Sequence, residues 1–363
     1  MTDSALRTVN VLVIKTSSLG DVIHTLPALT DAVNALPGIQ FDWVVEEAFA
    51  DIPRWHPSVN RIIPVALRRW RKQPVSAWWG GEWKAFKKAI STEHYDVVID
   101  AQGLLKSALL TRYVKGPVFG LNNECARESI AARFYDHKID VPKGQHAVER
   151  TRQLFAKSLG YDLAQPVGRC GIDTEKLTLP SEQPPYLIFF HGTTWDTKHW
   201  PVFYWQELAK MASAAGYRVL LPWGTEEELK RAELIAAVTD SAEVMPKLNL
   251  TALSGWIAKA QGVVSVDTGL AHLSAALDIP GVSIYGATDP GLSGAYGQNQ
   301  RHLYANYSCA PCLKRTCSYD GPRVKNPLAM GKGEYVEPPC FSSIMPGTVF
   351  EALEEQMSEA GRG

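Results

Sequence analysis

The sequence of 363 residues predicts an α/β protein made of two doubly wound domains, each with a parallel sheet. Three observations lead to this fold class. Short, continuously apolar runs rich in β-branched residues recur along the chain, as expected for parallel strands that are buried on both faces. Helical stretches separate these runs, and the chain is too long for one ordinary core.

The apolar runs predict the strands in order. They are VNVLVIK, FDWVVEE, RIIPVAL, YDVVIDAQ and PVFGLN in the first half, and YLIFFHG, YRVLLPWG, GVVSVDTG and GVSIYGAT in the second. Helices are predicted between them, for example at AVERTRQLFAKSLG and YWQELAKMASAAG. The second of these ends on a glycine, which is favoured at the C-terminus of a helix.

A proline-rich segment separates the two halves. Residues 163–184 show neither helical nor strand periodicity, which is typical of a linker. We predict a first domain over residues 1–165, a linker over 166–184, a second domain over 185–346 and a C-terminal helix over 347–363. Parallel sheets bind ligands beyond the carboxyl ends of their strands, so we expect the chemistry in a central cleft that both sheets face.

The bulk composition is that of a soluble globular protein, with 45% hydrophobic and 21% charged residues and a net charge of −1. No apolar run is long enough for a transmembrane helix, and the N-terminus lacks the pattern of a signal peptide. Six cysteines are too few for a secreted disulfide scaffold, which favours a reducing compartment. These features predict a cytoplasmic protein.

The turn after the first strand, KTSSLGD, contains one carboxylate, that of Asp21. The turn matches neither G-x-G-x-x-G nor G-x-x-x-x-G-K-[ST], which argues against a dinucleotide site or a P-loop. An acid at the carboxyl end of a first strand is well placed to meet a ligand. Asp21 is therefore a candidate general base, with Ser18 beside it on the substrate side.

The second half contains two candidate phosphate sites. In HGTTWDTKHW, Thr193 and Thr194 supply hydroxyl donors after a strand, and Lys198 adds a cation. In VSVDTGLAHL, a strand runs through a tight turn into a helix. The backbone amides at that helix start can bind an anion, because the helix dipole places partial positive charge there. Those amides belong to Thr268, Gly269 and Leu270.

Three nearby residues allow two interpretations each. Asp267 can contribute to the phosphate site or simply cap the following helix. His272, in the first turn of that helix, can donate to a phosphate or have only a structural role. Glu228 can accept the hydroxyls of a ribose, as acids do in nucleotide-binding folds, or belong to a solvated acidic helix start.

Metal chemistry has little support in the sequence. There is no D-x-D pair and no His/carboxylate cluster with ligand spacing, so a metal-dependent nucleotide site is disfavoured. An insert over residues 305–345 carries Cys309, Cys312, Cys317 and Cys340. Zinc sites usually pair two C-x2-C knuckles and only one is present, so reduced thiols are favoured over a disulfide or a bound metal.

Basic and aromatic side chains interleave in residues 61–88. This segment holds eight Lys/Arg against one Glu, and its tryptophans are Trp70, Trp78, Trp79 and Trp83. Such a pattern suits an anionic membrane surface or stacked nucleic acid. Arginines also bind phosphate monoesters in a bidentate manner.

Several of these motifs, in this order, resemble the lipopolysaccharide heptosyltransferases of glycosyltransferase family 9. They are KTSSLGDVIHTLPALTDA, FDWVVEE, RRWRK, VIDAQGLLKSA, HAVERTRQLFAKSLGY, TKHWP, LPWG and VSVDTGLAHL. The resemblance implies two Rossmann-like domains in the GT-B arrangement, with the last helix folding back on the first domain. It also implies a metal-independent, inverting transfer from ADP-L-glycero-β-D-manno-heptose to Kdo2-lipid A. For such a transfer we expect domain closure to exclude water.

The resemblance also implies roles for individual residues. Asp21 matches the proposed catalytic base of the family, and Leu248 falls where the family packs a side chain on adenine. Lys198 is expected both to bind the donor and to assist catalysis. The other donor-binding positions are Thr193, Thr194, Glu228, Asp267, Thr268, Gly269, Leu270 and His272. The acceptor-binding positions are Arg68, Arg69, Arg71, Lys72, Arg127 and Arg150, and Ser18 is also expected to bind the acceptor.

RRWRK and DAQGLLKSA favour the family members that add the first heptose over those that add the second. The alternatives are a second-heptose enzyme, another sugar-nucleotide glycosyltransferase, or a non-catalytic nucleotide-sugar- or RNA-binding module. The expected partners are ADP-heptose, Kdo2-lipid A and the anionic inner membrane of a Gram-negative bacterium, on whose cytoplasmic face the protein is expected to be peripheral. No cofactor, nucleic acid or obligate protein partner is expected.

Overall fold

A computed structural model describes residues 8–73, 80–328 and 335–362. The chain divides into two compact units, Met1–Asp173 and Thr174–Gly363. The division lies inside the segment predicted as a linker, residues 166–184. The exact domain limits stay a prediction.

The first unit is built on a six-stranded parallel sheet with the order β3-β2-β1-β4-β5-β6. Its strands are β1 Asn10–Ile14, β2 Gln40–Glu46, β3 Val59–Val65, β4 Val97–Asp100, β5 Val118–Leu121 and β6 His137–Ile139. Its helices are α1 Leu19–Ile23, α2 Leu26–Ala35, α3 Asp51–Arg54, α4 Leu67–Lys72, α5 Glu82–Ser91, α6 Leu105–Ala108 and α7 Ala147–Leu159. Short 3-10 helices occupy Glu47–Phe49, Leu109–Tyr113 and Ser129–Phe134.

The second unit has the same strand order when counted from its own first strand, β12-β11-β10-β7-β8-β9. Its strands are β7 Tyr186–Phe190, β8 Arg218–Leu221, β9 Ala242–Val244, β10 Gly262–Val266, β11 Gly281–Tyr285 and β12 Gln300–Tyr304. Its helices are α8 Val202–Ala214, α9 Glu226–Ala236, α10 Leu250–Lys259, α11 Gly269–Ala276, α12 Pro290–Ser293 and α13 Pro346–Glu359. Three 3-10 helices lie at Thr174–Lys176, Asp196–Lys198 and Pro339–Ser343.

Parallel pairing of these strands confirms the predicted fold class of two doubly wound α/β units. All nine predicted strands are present, and their apolar residues form the two cores. The sequence did not predict β6, β9 and β12. All three are edge strands whose residues are exposed or half-buried, so they lack a continuous apolar run.

The C-terminal helix α13 packs its apolar face on the second sheet. It lies against α8, β10, β11 and β12, with Leu353 and Met357 fully buried. Both side chains reach Gly262 at the start of β10, where a Cβ would come within 2.9 Å of Met357 Sδ. The absence of a side chain on Gly262 therefore allows close packing of the helix. The association of this helix with the first domain stays a prediction.

In each sheet, β-strands one and four of the unit (β1 and β4, β7 and β10) are neighbours with crossovers leading away in opposite directions. Such a switch point leaves a crevice at the carboxyl ends of the two strands, where α/β proteins bind ligands. Asp21 follows β1, and Asp267 follows β10. Among the residues described, no helix is both long and apolar enough to cross a membrane.

Candidate active site

Asp21 is fixed by the first turn of α1. Ser18 is the N-cap residue of this helix and Asp21 is its third residue, so the two form a reciprocal capping arrangement. Oδ2 of Asp21 accepts hydrogen bonds from the backbone N of Ser18 at 2.9 Å and from its Oγ at 3.2 Å. The carboxylate therefore has one defined orientation, with 22% of its side chain exposed.

Positive charges keep this carboxylate ionised. Nη1 of Arg127 lies 3.4 Å from Oδ2 of Asp21. Burial by itself would raise the pKa of Asp21, but the charges of Lys15 and Arg127 and the amide of Ser18 lower it to about 2. Arg127 is half exposed and makes a long contact, whereas Lys15 is buried.

The groups that hold the turn belong to residues that directly follow the neighbouring strand β4. Nζ of Lys15 donates to the carbonyl of Ala101 at 2.8 Å. Oε1 of Gln102 accepts the backbone amides of Thr16 at 3.0 Å and Ser17 at 3.1 Å. Sequence reasoning did not assign Lys15 and Gln102 to the site. The signal was present, because VIDAQG ends a buried strand that a parallel sheet can place beside the first.

Behind Gln102, the carboxylate of Asp100 organises the end of β4. It is fully buried and accepts the backbone N of Gln102 at 2.9 Å, together with the hydroxyls of Ser107 and Tyr135 at 2.9 and 2.8 Å. Burial raises the pKa of Asp100, and its hydrogen bonds oppose that shift. Asp100 thus supports the turn indirectly.

Two of the predicted acceptor arginines lie close to the Asp21 turn. Arg127 contacts Asp21 directly, and Nη2 of Arg150 donates to the carbonyl of Cys125 at 2.7 Å. The Nε atom of Arg150 is buried without a hydrogen-bond partner. Burial lowers the pKa of Arg150, and the nearby charge of Arg127 acts in the same direction. Arg127 therefore adds positive potential at the carboxylate, whereas Arg150 acts on the neighbouring Lys15.

The other predicted acceptor residues lie on α4. The side chains of Arg68, Arg71 and Lys72 are exposed. Arg69 instead forms ion pairs at 3.0 Å with Glu47 and with Glu82, which tie α4 to α5 and to the end of β2. The backbone N of Arg68 donates to Glu46 at 2.9 Å, so α4 begins at the carboxyl end of β2.

The tryptophans of this region are partly structural. Trp70 and Trp83 make an edge-to-face contact at 5.5 Å and pack on the core of the first unit with Phe86. Trp78 and Trp79 lie outside the described residues. The basic and aromatic surface is therefore made by the exposed cations of α4 and α5 over an aromatic base.

On the second unit, Lys198 and Asp267 form a close ion pair, with 2.6 Å between Nζ and Oδ2. The hydroxyl of Thr288 donates to the same oxygen at 2.5 Å, and the hydroxyl of Thr193 donates to the backbone carbonyl of Asp267 at 3.1 Å. Asp267 therefore fixes the lysine rather than capping α11. Thr288, after β11, was missed by sequence reasoning.

The start of α11 has the geometry expected of an anion site. Thr268 is its N-cap residue and makes no side-chain capping hydrogen bond. Gly269 and Leu270 begin the helix and are half-buried. His272 is buried in the first turn, and Thr194 is exposed. Lys198 reaches the carboxylate that immediately precedes this helix, so a cation and helix-start amides lie together.

Glu228 caps α9 in the structure. Its Oε2 accepts the backbone N of Gly224 at 2.7 Å and of Thr225 at 3.1 Å, and Thr225 caps Glu228 in return. The carboxylate lies so close to Gly192 that a Cβ there would collide with it. This contact joins the loop after β7 to the first turn of α9. Leu248 is half-buried just before α10.

The four cysteines of the insert are free thiols. Burial and the neighbouring Cys309, Cys317 and Cys312 raise the pKa of Cys340 to about 12. In the described part of the chain, no group of three or more His, Cys, Asp or Glu side chains is arranged to hold a metal ion.

Comparison with curated proteins identifies relatives over nearly the whole chain. Lipopolysaccharide heptosyltransferase 1 of Pseudomonas aeruginosa is 54% identical over 96% of this chain and 98% of that protein. The protein of the same name from Escherichia coli K12 is 54% identical over 80% of this chain and 92% of its own length. Lipopolysaccharide heptosyltransferase 2 of Salmonella typhimurium is only 25% identical, over 64% of this chain and 70% of that protein.

Comparison with solved structures gives the same result. E. coli heptosyltransferase WaaC with ADP matches with a TM-score of 0.83 and 46% identity, over 96% of this chain and 99% of that one. WaaC with ADP-2-deoxy-2-fluoro heptose matches with a TM-score of 0.80 and 46% identity, over 95% of this chain and 99% of that one. The family profile of glycosyltransferase family 9 (heptosyltransferase) matches residues 83–322. The chain is therefore a transferase enzyme and belongs to glycosyltransferase family 9, the heptosyltransferases.

Proposed function

We propose that this enzyme transfers L-glycero-D-manno-heptose from ADP-heptose to a Kdo hydroxyl of Kdo2-lipid A, with inversion, in the synthesis of the lipopolysaccharide inner core. The observation that carries the proposal is the 54% identity to lipopolysaccharide heptosyltransferase 1 over 96% of the chain. The lower identity to a heptosyltransferase 2 favours the first transfer over the second. ADP and an ADP-heptose analogue, bound by a 46% identical enzyme, support the donor.

Asp21 is proposed as the general base. Its carboxylate is ionised and oriented by Ser18, so it can accept the proton of the attacking hydroxyl. With a pKa of about 2 it is a weak base, and it takes the proton as bond formation acidifies that hydroxyl. An anionic acceptor that draws Arg127 away from Asp21 makes the carboxylate more basic at the moment it is needed.

Lys198 and the amides at the start of α11 are proposed to neutralise the charge that develops on the departing diphosphate. Asp267 holds the lysine and is itself held by Thr288, so little reorganisation is required during the reaction. Glu228 is proposed to bind the ribose hydroxyls through the carboxylate oxygen that faces Gly192, and Leu248 to pack on adenine. Thr193, Thr194 and His272 complete the proposed donor site.

The acceptor is proposed to bind on the first unit. Ser18 and Arg127 contact Asp21, Arg150 acts on the neighbouring Lys15, and the exposed cations of α4 extend the positive surface. The ion pairs of Arg69 with Glu47 and Glu82 indicate that this residue acts by holding α4 in place.

Transfer of labelled heptose tests the proposal directly. The purified enzyme should transfer heptose from ADP-heptose to Kdo2-lipid A and not to an acceptor that already carries the first heptose. Preference for the second acceptor would identify a second-heptose enzyme, and transfer to neither would reject both assignments. Charge reversal at Arg68 and Arg71 should weaken acceptor use while ADP binding is preserved.

We also propose a cytoplasmic enzyme that binds peripherally to the anionic inner membrane of a Gram-negative bacterium. The exposed Lys and Arg side chains of α4 and α5 support this, because basic surfaces are attracted to anionic lipids. The enzyme should sediment with anionic vesicles and not with zwitterionic ones, and the binding should weaken as salt is raised. Equal binding to both kinds of vesicle would contradict the proposal.

A further inference from the structure

A loop of the cysteine-containing insert is attached to the segment that carries Lys198. Thr197 is buried, its hydroxyl donates to the carbonyl of Lys314, and its backbone N donates to the carbonyl of Arg315 at 3.3 Å. The backbone N of Leu313 donates to the carbonyl of Ala287, beyond β11, at 2.8 Å. The loop over residues 313–315 is therefore anchored at the carboxyl ends of both β7 and β11.

This attachment brings a second cation to the Lys198 site. Trp195 is half-buried, and Nζ of Lys198 lies 4.4 Å from the centre of its indole ring. The guanidinium carbon of Arg315 lies 5.5 Å from the centre of the same ring. Cations are attracted to the face of an indole, so Trp195 holds both positive charges at one place.

Arg315 is available to a ligand, unlike the other arginine of the insert. Its side chain is exposed, and none of the ion pairs among the described residues involves it. Arg323 is instead paired with Glu337 at 2.5 Å and lies over the ring of Tyr335. The contrast indicates that Arg323 fastens the insert, whereas the guanidinium of Arg315 is left without a carboxylate partner.

A diphosphate needs more positive charge than Lys198 supplies, because Asp267 already neutralises much of that charge. Guanidinium groups bind phosphate oxygens in a bidentate manner and stay charged at all physiological pH values. We propose that Arg315 binds the diphosphate of the sugar-nucleotide donor beside Lys198, on the platform formed by Trp195. The proposal rests on the proposed function, because it takes the Lys198–Asp267 pair to mark the donor site.

Calorimetric titration of the full-length enzyme with ADP tests the proposal without acceptor or turnover. Arg315→Gln should weaken ADP affinity about tenfold or more, because a charge-assisted contact is lost. Arg315→Lys should regain part of the loss. The affinity for AMP, which lacks the β-phosphate, should fall less in Arg315→Gln than the affinity for ADP does. The matched control Arg323→Gln, in the same insert, should bind ADP within about twofold of the wild type.

Thr197→Val provides a second variant, because it removes the hydroxyl that fastens the loop and keeps Arg315 itself. It should weaken ADP affinity in the same direction but less. Thermal unfolding of each variant checks that the fold is retained. ADP affinity within twofold of wild type for Arg315→Gln, or an equal loss for Arg323→Gln, would overturn the proposal. A wild-type enzyme that binds ADP but transfers no heptose would reject the proposed function and leave the role of Arg315 standing.

Discussion

Each unit places a carboxylate at its switch point, but the two carboxylates differ in their electrostatic state. In the first unit Asp21 follows strand one and is held mainly by its own helix cap, with a loose contact of 3.4 Å to Arg127. In the second unit Asp267 follows strand four and is locked to Lys198 at 2.6 Å and to Thr288. The negative charge of Asp21 therefore stays available to accept a proton, whereas that of Asp267 positions Lys198.

The two switch points are also bridged in different ways. In the first unit a neutral amide, that of Gln102, reaches from strand four to the backbone of the turn after strand one. In the second unit the bridge is an ion pair between Asp267 and Lys198. A neutral bridge leaves the charge of Asp21 unchanged, whereas an ionic bridge fixes a cation near an anion site. The same strand order thus carries a carboxylate suited to act as a general base in one unit and a lysine suited to bind an anion in the other.

Replacement of the Asp21 carboxylate should have the largest effect on turnover. Asp21→Asn keeps the shape of the side chain but cannot accept a proton, so we expect kcat to fall by about 10²–10⁴-fold. ADP affinity should not change, because the proposed donor site lies on the other unit. Steady-state transfer kinetics and ADP titration measure the two. The exposed Asp162→Asn is the control, and turnover of Asp21→Asn within a few-fold of wild type would rule out the base assignment.

Removal of Lys198, the lysine paired with Asp267, should have the next largest effect on the transfer rate. Lys198→Met removes the cation proposed to bind the departing diphosphate, so kcat/KM should fall on the order of 10²–10³-fold and ADP affinity should fall with it. This joint loss distinguishes it from Asp21→Asn. Lys210→Met, which replaces an exposed lysine of the same unit, serves as the control. Unchanged kinetics in Lys198→Met would remove this residue from the donor site.

Removal of the Gln102 amide should have a smaller effect on turnover. Gln102→Leu removes the acceptor of the Thr16 and Ser17 amides, so the turn that carries Asp21 is displaced and kcat should fall roughly 10–10²-fold with little change in donor KM. Gln102→Glu keeps an acceptor but adds negative charge, so it should raise the pKa of Asp21. A pH profile separates the two variants. An equal rise in donor KM would show that Gln102 supports the whole fold instead.

The buried cation beside Asp21 should affect pH dependence most clearly. Lys15 lowers the pKa of Asp21, so Lys15→Met should raise that pKa by about one unit and move the acid limb of the activity profile upward. The wild-type base stays ionised at all pH values above about 2, so its activity should not fall in mildly acidic solution on account of Asp21. Carbon NMR titration of the carboxyl measures the shift, and an unchanged pKa in Lys15→Met would contradict this electrostatic role.

The sequence by itself determined the fold class, the nine strongest strands and most of the proposed site. Continuous apolar runs at strands such as β1 and β10 reflect burial on both faces, which is a local property of the sequence. Asp21, Lys198 and the turn at Asp267 could be found because each directly follows such a run. The resemblance to a family then supplied roles that residue chemistry alone had left open for Glu228 and His272.

Only the tertiary structure decided which distant side chains meet. Gln102 reaches the Thr16–Ser17 turn, Thr288 reaches Asp267, and Arg315 shares Trp195 with Lys198. It also decided that Asp267 binds a lysine instead of capping a helix, and that Arg69 is paired with Glu47 and Glu82. Such contacts join residues far apart along the chain, and they depend on strand order and loop path. A local pattern records what each residue prefers, but the pairing of strands selects its partner.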